Sequence, residues 1–149
     1  MSPDQGRPIV LLHGFAGSYE RTWRQPGVAD ILGDLGRPLV GIDLLGHGSA
    51  AKPHDPAAYA ELPALARAEI DGAAPGGSVD AVGFSLGAQT LLRLVAETPG
   101  RFGRVVVAGV GDTSFEVRDA EVVARALEGP PDPENQAGRH LRVLADVPG

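Results

Sequence analysis

The 149-residue chain contains no cysteine, which excludes disulfide bonds, thiolate catalysis and cysteine-ligated zinc or iron-sulfur centres. Long hydrophobic runs are also absent, since the apolar run that begins at Ile9 ends after a few residues at His13. The first residues lack the basic segment and the long apolar stretch of a signal peptide. We therefore expect no membrane span and no secretion, and the lack of cysteine agrees with a cytoplasmic location.

An excess of positive charge is missing too. The net charge is -6 and the isoelectric point is near 5.1, and the arginines are scattered along the chain, so we expect no binding to nucleic acid. No histidine pair or carboxylate cluster has the spacing of metal ligands, and we expect neither a metal nor a cofactor. The partner that remains is a small-molecule substrate.

The composition is that of one soluble globular domain, with 43% apolar and 21% charged residues. The 13 prolines and 21 glycines separate periodic segments and do not form a low-complexity tract. The best candidate boundary is the proline-rich stretch Gly129–Pro133. The sequence thus predicts a single domain over residues 1–149, in which residues 130–149 begin a cap region.

Four short apolar runs predict buried strands, because each is bounded by glycine, proline or polar residues. They are Ile9–Leu12, Pro38–Asp43, Val79–Phe84 and Val105–Val110. Three segments between these strands have helical periodicity: the face formed by Val28, Ile31, Leu32 and Leu35, then Ala57–Ile70, and then Ser85–Glu97. Pro63 marks either a break in the second segment or the start of its helix. Strands that alternate with helices predict an α/β fold with a mostly parallel sheet of about four strands and helices on both faces.

The segment Gly83–Gly87 reads Gly-x-Ser-x-Gly between a predicted strand and a predicted helix. A serine that stands clear of the chain needs a strained backbone and small residues two places away on each side. The helix that begins there directs its first N–H groups towards an oxyanion formed at the serine. Ser85 is therefore a candidate nucleophile, although a glycine-rich turn in any parallel α/β domain gives the same pattern.

Three features in this order resemble the α/β-hydrolase fold superfamily over about residues 7–128: His13-Gly14-Phe15, the loop from Asp43 to Gly48, and the segment around Ser85. The resemblance implies an incomplete α/β-hydrolase core and a triad of serine, acid and histidine. Ser85 matches the nucleophile, and the backbone N–H groups of Phe15 and Leu86 match the oxyanion hole. His13 then ties down the oxyanion loop and is not the base. The second loop departs from the family pattern, because Ser49 follows Gly48 with no spacer residue.

Other polar residues have structural interpretations. Asp43 is expected to organise its loop or cap a helix rather than act as the catalytic acid. His47 is expected to hydrogen-bond within the loop near the pocket rim, and His54 is expected to be solvated. Trp23 is expected to cover the core beside the first loop.

Two accounts of the acid and the base remain open. In the first, which we favour, the chain is the N-terminal portion of a longer hydrolase, and the acid and the histidine lie beyond residue 149. In the second, Asp112 after the fourth strand and His140 complete the triad in the order Ser, Asp, His. Missing strands would expose the edge at Val105–Val110 and favour self-association.

The sequence predicts a serine hydrolase that acts by acyl transfer on a small ester, thioester or related carbonyl substrate. One alternative is a lyase or a haloperoxidase-like enzyme of the same fold. Another is a catalytically impaired or non-catalytic domain that binds a small molecule. A dinucleotide-binding domain is disfavoured, because neither Gly83–Gly87 nor Gly109–Gly111 supplies Gly-x-Gly-x-x-Gly after a strand.

Overall fold

Four strands form one parallel sheet, as the alternation of apolar runs and helical patterns predicts. A computed structural model of the chain describes residues 6–112, 130, 139 and 143. The strands are β1 (Ile9–Leu12), β2 (Leu39–Ile42), β3 (Val79–Phe84) and β4 (Phe102–Ala108). They lie in the order β2-β1-β3-β4, with each neighbouring pair parallel. Because the C-terminal ends of parallel strands share one edge, the loops that follow β1, β2 and β3 meet there.

Three α-helices connect these strands: α1 (Val28–Gly33), α2 (Leu62–Ala73) and α3 (Leu86–Glu97). A π-helical turn covers Glu20–Arg24, and 3₁₀ turns cover Pro56–Tyr59 and Pro99–Arg101. Pro63 lies in the first turn of α2, where a residue without an N–H group breaks no helical hydrogen bond. Pro63 therefore marks the start of a helix, the second of its two interpretations.

The helices cover both faces of the sheet. Successive strand residues point to opposite faces, and in β1 Val10 and Leu12 pack in one core cluster while Ile9 and Leu11 pack in another. The first cluster contains residues of α2 and α3, and the second contains residues of α1 and the π-helical turn. Trp23 belongs to the second cluster and is 8% exposed. It covers the core as predicted.

β4 and α1 differ from their predictions, and α2 begins and ends later than predicted. β4 begins at Phe102 and ends at Ala108, not at Val105 and Val110. Gly109, which takes a left-handed conformation with φ 69°, ends the strand. α1 ends at Gly33. Of the predicted apolar face, Val28 and Leu32 pack against the core, whereas Ile31 and Leu35 are 68% and 62% exposed, so the prediction is wrong for these two residues. The sequence also predicts a last helix that carries Ala120, Val123, Ala124 and Leu127, and these residues lie outside the described ones.

A buried carboxylate joins the N-terminal ends of the strands. Asp80 in β3 is 5% exposed, and it accepts hydrogen bonds from Arg7 Nη1 at 2.8 Å, Arg37 Nη2 at 2.7 Å and the Arg104 N–H at 2.8 Å. Burial raises the pKa of Asp80, but these three donors outweigh it and lower the pKa to about 2. Asp80 therefore ties β3 to β4 and to the segments that lead into β1 and β2.

The chain divides into two compact units, residues 1–110 and 111–149. Every strand and helix described above belongs to the first unit, and the prediction of one domain with a cap region stays a prediction. Within the described ranges, no helix has the length and the apolar character needed to cross a membrane. In the first unit β4 is an end strand of the sheet, and Val106 is 55% exposed. Self-association through this edge is a prediction that follows from that exposure.

Candidate active site

Ser85 lies at a sharp turn between β3 and α3. Its backbone has φ 51° and ψ -111°, and among the described residues only Ala16 shares a positive φ without being glycine. The Ser85 N–H donates to the Ala108 carbonyl at 2.8 Å, and the Ser85 carbonyl accepts from the Gln89 N–H at 3.0 Å. The Ser85 hydroxyl makes no capping hydrogen bond to the helix. The backbone is thus held in a strained conformation, which is typical of functional positions.

Glycines on both sides of Ser85 allow this turn. A Cβ atom on Gly83 would lie 2.8 Å from the Ala88 Cα and 2.8 Å from the Gly87 carbonyl oxygen. A Cβ atom on Gly87 would lie 2.6 Å from the His13 carbonyl oxygen and would also overlap the carbonyl of Leu12. These distances are shorter than ordinary contacts, so α3 can fold back on β3 and pack against the end of β1 only with glycine at both positions.

The loop after β1 approaches Ser85 closely. A Cβ atom on Gly14 would lie 3.3 Å from the Ser85 Cβ and 2.9 Å from the Phe84 ring. Phe15, the next residue, is 40% exposed, and Ala16 has φ 57°. The backbone of this loop and the first turn of α3, which carries Leu86, therefore both adjoin the serine.

The orientation of the Phe15 N–H follows from the hydrogen bonds of its neighbour. The Gly14 carbonyl accepts from His13 Nδ1–H at 2.7 Å and from the Gly17 N–H at 3.0 Å. The Gly14 carbonyl and the Phe15 N–H belong to one planar trans peptide and point in opposite directions. The two donors that hold the carbonyl therefore also set the direction of the Phe15 N–H.

His13 is fully buried and uses both ring nitrogens. Its Nε2 accepts from the Leu44 N–H at 2.9 Å, so the ring proton must be on Nδ1, which donates to Gly14. Burial lowers the pKa of His13 below its ordinary value, in agreement with a neutral ring. With both nitrogens engaged by backbone groups, His13 acts as a structural residue of this loop.

Asp43 organises the loop after β2. Its Oδ1 accepts from the Tyr19 N–H at 2.7 Å, and its Oδ2 accepts from the Ser49 N–H at 2.8 Å and the Ser49 hydroxyl at 2.9 Å. The direct succession of Gly48 and Ser49 places both donors of Ser49 on the carboxylate. Partial burial raises the pKa of Asp43, but the hydrogen bonds from Ser49 and Tyr19 outweigh it, and the pKa lies below its ordinary value.

His47 and Phe84 line the same end of the sheet. The His47 ring packs against Phe15 edge-to-face, with ring centroids 5.7 Å apart, and its Nδ1 lies 3.1 Å from the Leu45 carbonyl oxygen. His54 is exposed. Sequence reasoning did not single out Phe84, which is 44% exposed and lies close to Gly14 and Gly109. The sequence did carry a signal for space around this ring, since glycines follow β1 and β4, the two strands that flank β3.

The candidate acid and base both lie outside the first unit of the chain. Asp112 is exposed and belongs to the second unit, and His140 lies outside the described residues. Their catalytic roles stay predictions. Among the residues that the structure describes, no three His, Asp or Glu side chains form a group that could hold a metal ion.

Comparison with known proteins identifies the family. The family profile described as alpha/beta hydrolase fold matches residues 7–128. The chain belongs to this family. An esterase of Mycobacterium tuberculosis is 31% identical over 116 residues, which are 78% of this chain and 37% of that protein. NocK of Nocardia uniformis, named as a candidate esterase, is 36% identical over 159 aligned positions that cover 97% of this chain and 45% of NocK.

Solved structures agree on the fold. The 2-hydroxy-6-oxo-6-phenylhexa-2,4-dienoate hydrolase of Rhodococcus sp. strain RHA1 superposes with a TM-score of 0.63 at 24% identity, over 97% of this chain and 59% of that enzyme. An esterase of Rhodococcus sp. ECU1013 has a TM-score of 0.59 at 25% identity, over 94% of this chain and 60% of that enzyme. The chain spans less than half of the length of the two curated relatives.

Proposed function

We propose that this chain carries the nucleophile and the oxyanion hole of a serine hydrolase that cleaves small esters, thioesters or related carbonyl compounds by acyl transfer. The observation that supports this most strongly is the conformation of Ser85. A strained serine opens α3 without capping it, and the loop of Gly14 lies against its Cβ. The names of the two curated relatives point to the same class of reaction.

In the proposed reaction, the Ser85 Oγ attacks the substrate carbonyl carbon and passes its proton to a histidine base. The carbonyl oxygen becomes an oxyanion, which accepts hydrogen bonds from the N–H groups of Phe15 and Leu86. The tetrahedral intermediate then expels the alcohol or thiol, which takes the proton from the base. A water molecule then attacks the acyl-enzyme by the same steps, and the carboxylic acid product is released. Each oxyanion donor contributes about 10²- to 10³-fold to such a rate.

The surroundings of Ser85 favour a substrate with an apolar part. Phe15 and Phe84 are 40% and 44% exposed, and both adjoin Gly14, which in turn lies against Ser85. Removing such rings from water on substrate binding would be favourable. We therefore expect esters with an apolar acyl or alkoxy group to be preferred over equally small charged ones.

The proposal is tested with a fluorophosphonate probe and peptide mapping. We expect a phosphonyl adduct on Ser85 that is lost in Ser85→Ala. Ser78→Ala is the matched control, because Ser78 is exposed just before β3, and it should keep the adduct. An adduct that persists in Ser85→Ala would refute the nucleophile. Stabilisation by ligands without any adduct would favour the non-catalytic binding domain.

The source of the base is tested in the same assay. If His140 is the base, His140→Gln should slow phosphonylation by about 10⁴-fold or more, and added imidazole should partly restore the rate. If the base is not part of these 149 residues, His140→Gln should leave the rate unchanged, and imidazole should accelerate labelling of the unaltered chain.

A further inference from the structure

The Asp43 carboxylate joins two loops that are distant in sequence. It accepts the Tyr19 N–H on Oδ1 and both donors of Ser49 on Oδ2. Tyr19 directly precedes the π-helical turn and lies just after the loop that carries Phe15. Ser49 closes the loop that follows β2. A single charged group therefore receives three hydrogen bonds from both loops, and bonds of this charge-assisted kind are stronger than neutral ones.

The loop after β2 is shaped around this carboxylate. Gly48 has φ 51°, a left-handed conformation, and a Cβ atom on Gly48 would overlap the carboxyl group of Asp43. Lys52 Nζ donates to the Gly48 carbonyl at 2.5 Å, which holds the same turn from the other side. A side chain at position 48 would displace the carboxylate, so the Gly48-Ser49 pair forms a cradle for Asp43.

The two residues that follow β2 hold the Phe15 loop on both sides. At the first end, the Leu44 N–H donates to His13 Nε2 at 2.9 Å, and His13 in turn orients the Gly14–Phe15 peptide. At the other end, Asp43 accepts the Tyr19 N–H at 2.7 Å. The two holding groups belong to the consecutive residues Asp43 and Leu44, so this short segment sets how the two ends of the loop are spaced.

A third contact runs through the side chains. The His47 ring lies within the loop that Asp43 closes at Ser49, and it packs edge-to-face on Phe15 with ring centroids 5.7 Å apart. If the loop opened, this packing would be lost together with the hydrogen bond to Tyr19. Two of the three links, through Tyr19 and through the loop of His47, depend on the Asp43 carboxylate, the third runs from the backbone of Leu44, and none of them includes Ser85.

We propose that Asp43 is a positioning residue for catalysis, which aims the Phe15 N–H at the oxyanion by holding the loop of residues 13–19 against the loop of residues 43–49. This inference rests on the proposed function of Ser85. The carboxylate takes no proton and touches no substrate. Its effect is to keep one hydrogen-bond donor in place, and its loss should reduce the rate of the chemical step more than the affinity for the probe.

The first measurement does not depend on activity. The residual dipolar coupling of the Phe15 N–H reports the direction of that bond, and we expect it to change in Asp43→Ala while the couplings of amides in β1 and β3 stay the same. Asp43→Asn should give a smaller change, because one oxygen remains to accept from Tyr19. A folded Asp43→Ala variant with an unchanged Phe15 coupling would overturn the proposal.

The second measurement is the rate of Ser85 phosphonylation by the fluorophosphonate, resolved into the maximal rate and the half-saturating concentration. We expect Asp43→Ala to lower the maximal rate by about 10- to 100-fold, part of the effect of losing one oxyanion donor, with little change in half-saturation. Asp43→Asn should recover part of the loss. Equal losses in Asp43→Asn and Asp43→Ala, or a loss confined to half-saturation, would contradict positioning.

Asp80→Asn is the matched control for a general loss of stability. Asp80 also accepts a backbone N–H and two further hydrogen bonds, but at the opposite ends of the strands. It should lower stability without moving the Phe15 coupling or the maximal rate per folded molecule. If Asp80→Asn reproduced the effects of Asp43→Ala, the role of Asp43 would be merely structural. If the unaltered chain were not phosphonylated, the proposed function would fail, and the Phe15 coupling would still decide the positioning role.

Discussion

Replacing Gly87 by alanine separates local helix preference from the packing that creates the turn at Ser85. Gly87 lies in the first turn of α3, and alanine at a helical position is favoured over glycine by up to about 1 kcal/mol. In the folded chain, however, the added Cβ would lie 2.6 Å from the His13 carbonyl oxygen. That is about 1 Å closer than an optimal contact, and the obstacle is backbone that cannot rotate away.

The expected result is a loss of stability in spite of the better propensity. Forcing extra atoms into a packed site costs typically about 1–3 kcal/mol, and contact with two backbone carbonyls argues for the upper end of that range. After the gain in propensity, we expect Gly87→Ala to lower the free energy of unfolding by about 2 kcal/mol. Because α3 must move away from β1, phosphonylation of Ser85 should also slow.

The assay is urea unfolding followed by circular dichroism, with Gly72→Ala as the matched control. Gly72 lies in α2, and a Cβ atom there would have no heavy atom within 4 Å, so this variant should be as stable as the unaltered chain or more stable. If Gly87→Ala were at least as stable as Gly72→Ala, with unchanged labelling of Ser85, the steric account of the turn would be wrong.

Three further predictions concern charge and the sheet edge. The pKa of Asp80 is lowered to about 2, so its ionised form stabilises the fold by about 2 kcal/mol. This stabilisation should be present above pH 4 and disappear as the pH falls towards 2. In Asp80→Asn, the free energy of unfolding should vary less with pH over this range. Burial lowers the pKa of His13, so the free energy of unfolding should also decrease as the pH falls from about 7 through 6.5. His13→Gln should remove this dependence on pH, and His54→Gln, at an exposed site, should leave it in place. Val106 is 55% exposed on the end strand β4, and Val106→Lys should reduce concentration-dependent association in sedimentation equilibrium, whereas unchanged association would place the contact elsewhere.

The interior strands could be predicted from sequence because their residues are buried on both sides. Every residue of β1 is buried, which leaves a continuous apolar run, and β3 was predicted with its observed bounds. β4 is exposed along much of its length, so its apolar residues do not mark where hydrogen bonding begins. The pairing of β3 with β4 shifts register between Val79 and Ala81, and there the Arg104 N–H donates to the Asp80 carboxylate, a contact that local periodicity does not reveal.

The candidate site was predicted where its geometry is encoded locally. Gly83, Ser85 and Gly87 lie within five consecutive residues, so the pattern is visible in the sequence, although Gly87 is also required by the His13 carbonyl after β1. The partners of Asp43 are different, because the Tyr19 donor is a backbone N–H 24 positions away, and any residue except proline could supply it. No side-chain pattern marks such a contact, so the role of Asp43 as an organiser was expected while its link to the Phe15 loop was not.

A crystal structure of the phosphonylated chain tests the central claim most directly. The account predicts that phosphorus is bonded to the Ser85 Oγ and that its non-bridging oxygen lies about 2.7–3.1 Å from the amide nitrogens of both Phe15 and Leu86. Phosphorus on another residue, or a non-bridging oxygen that points away from both amides, would contradict it.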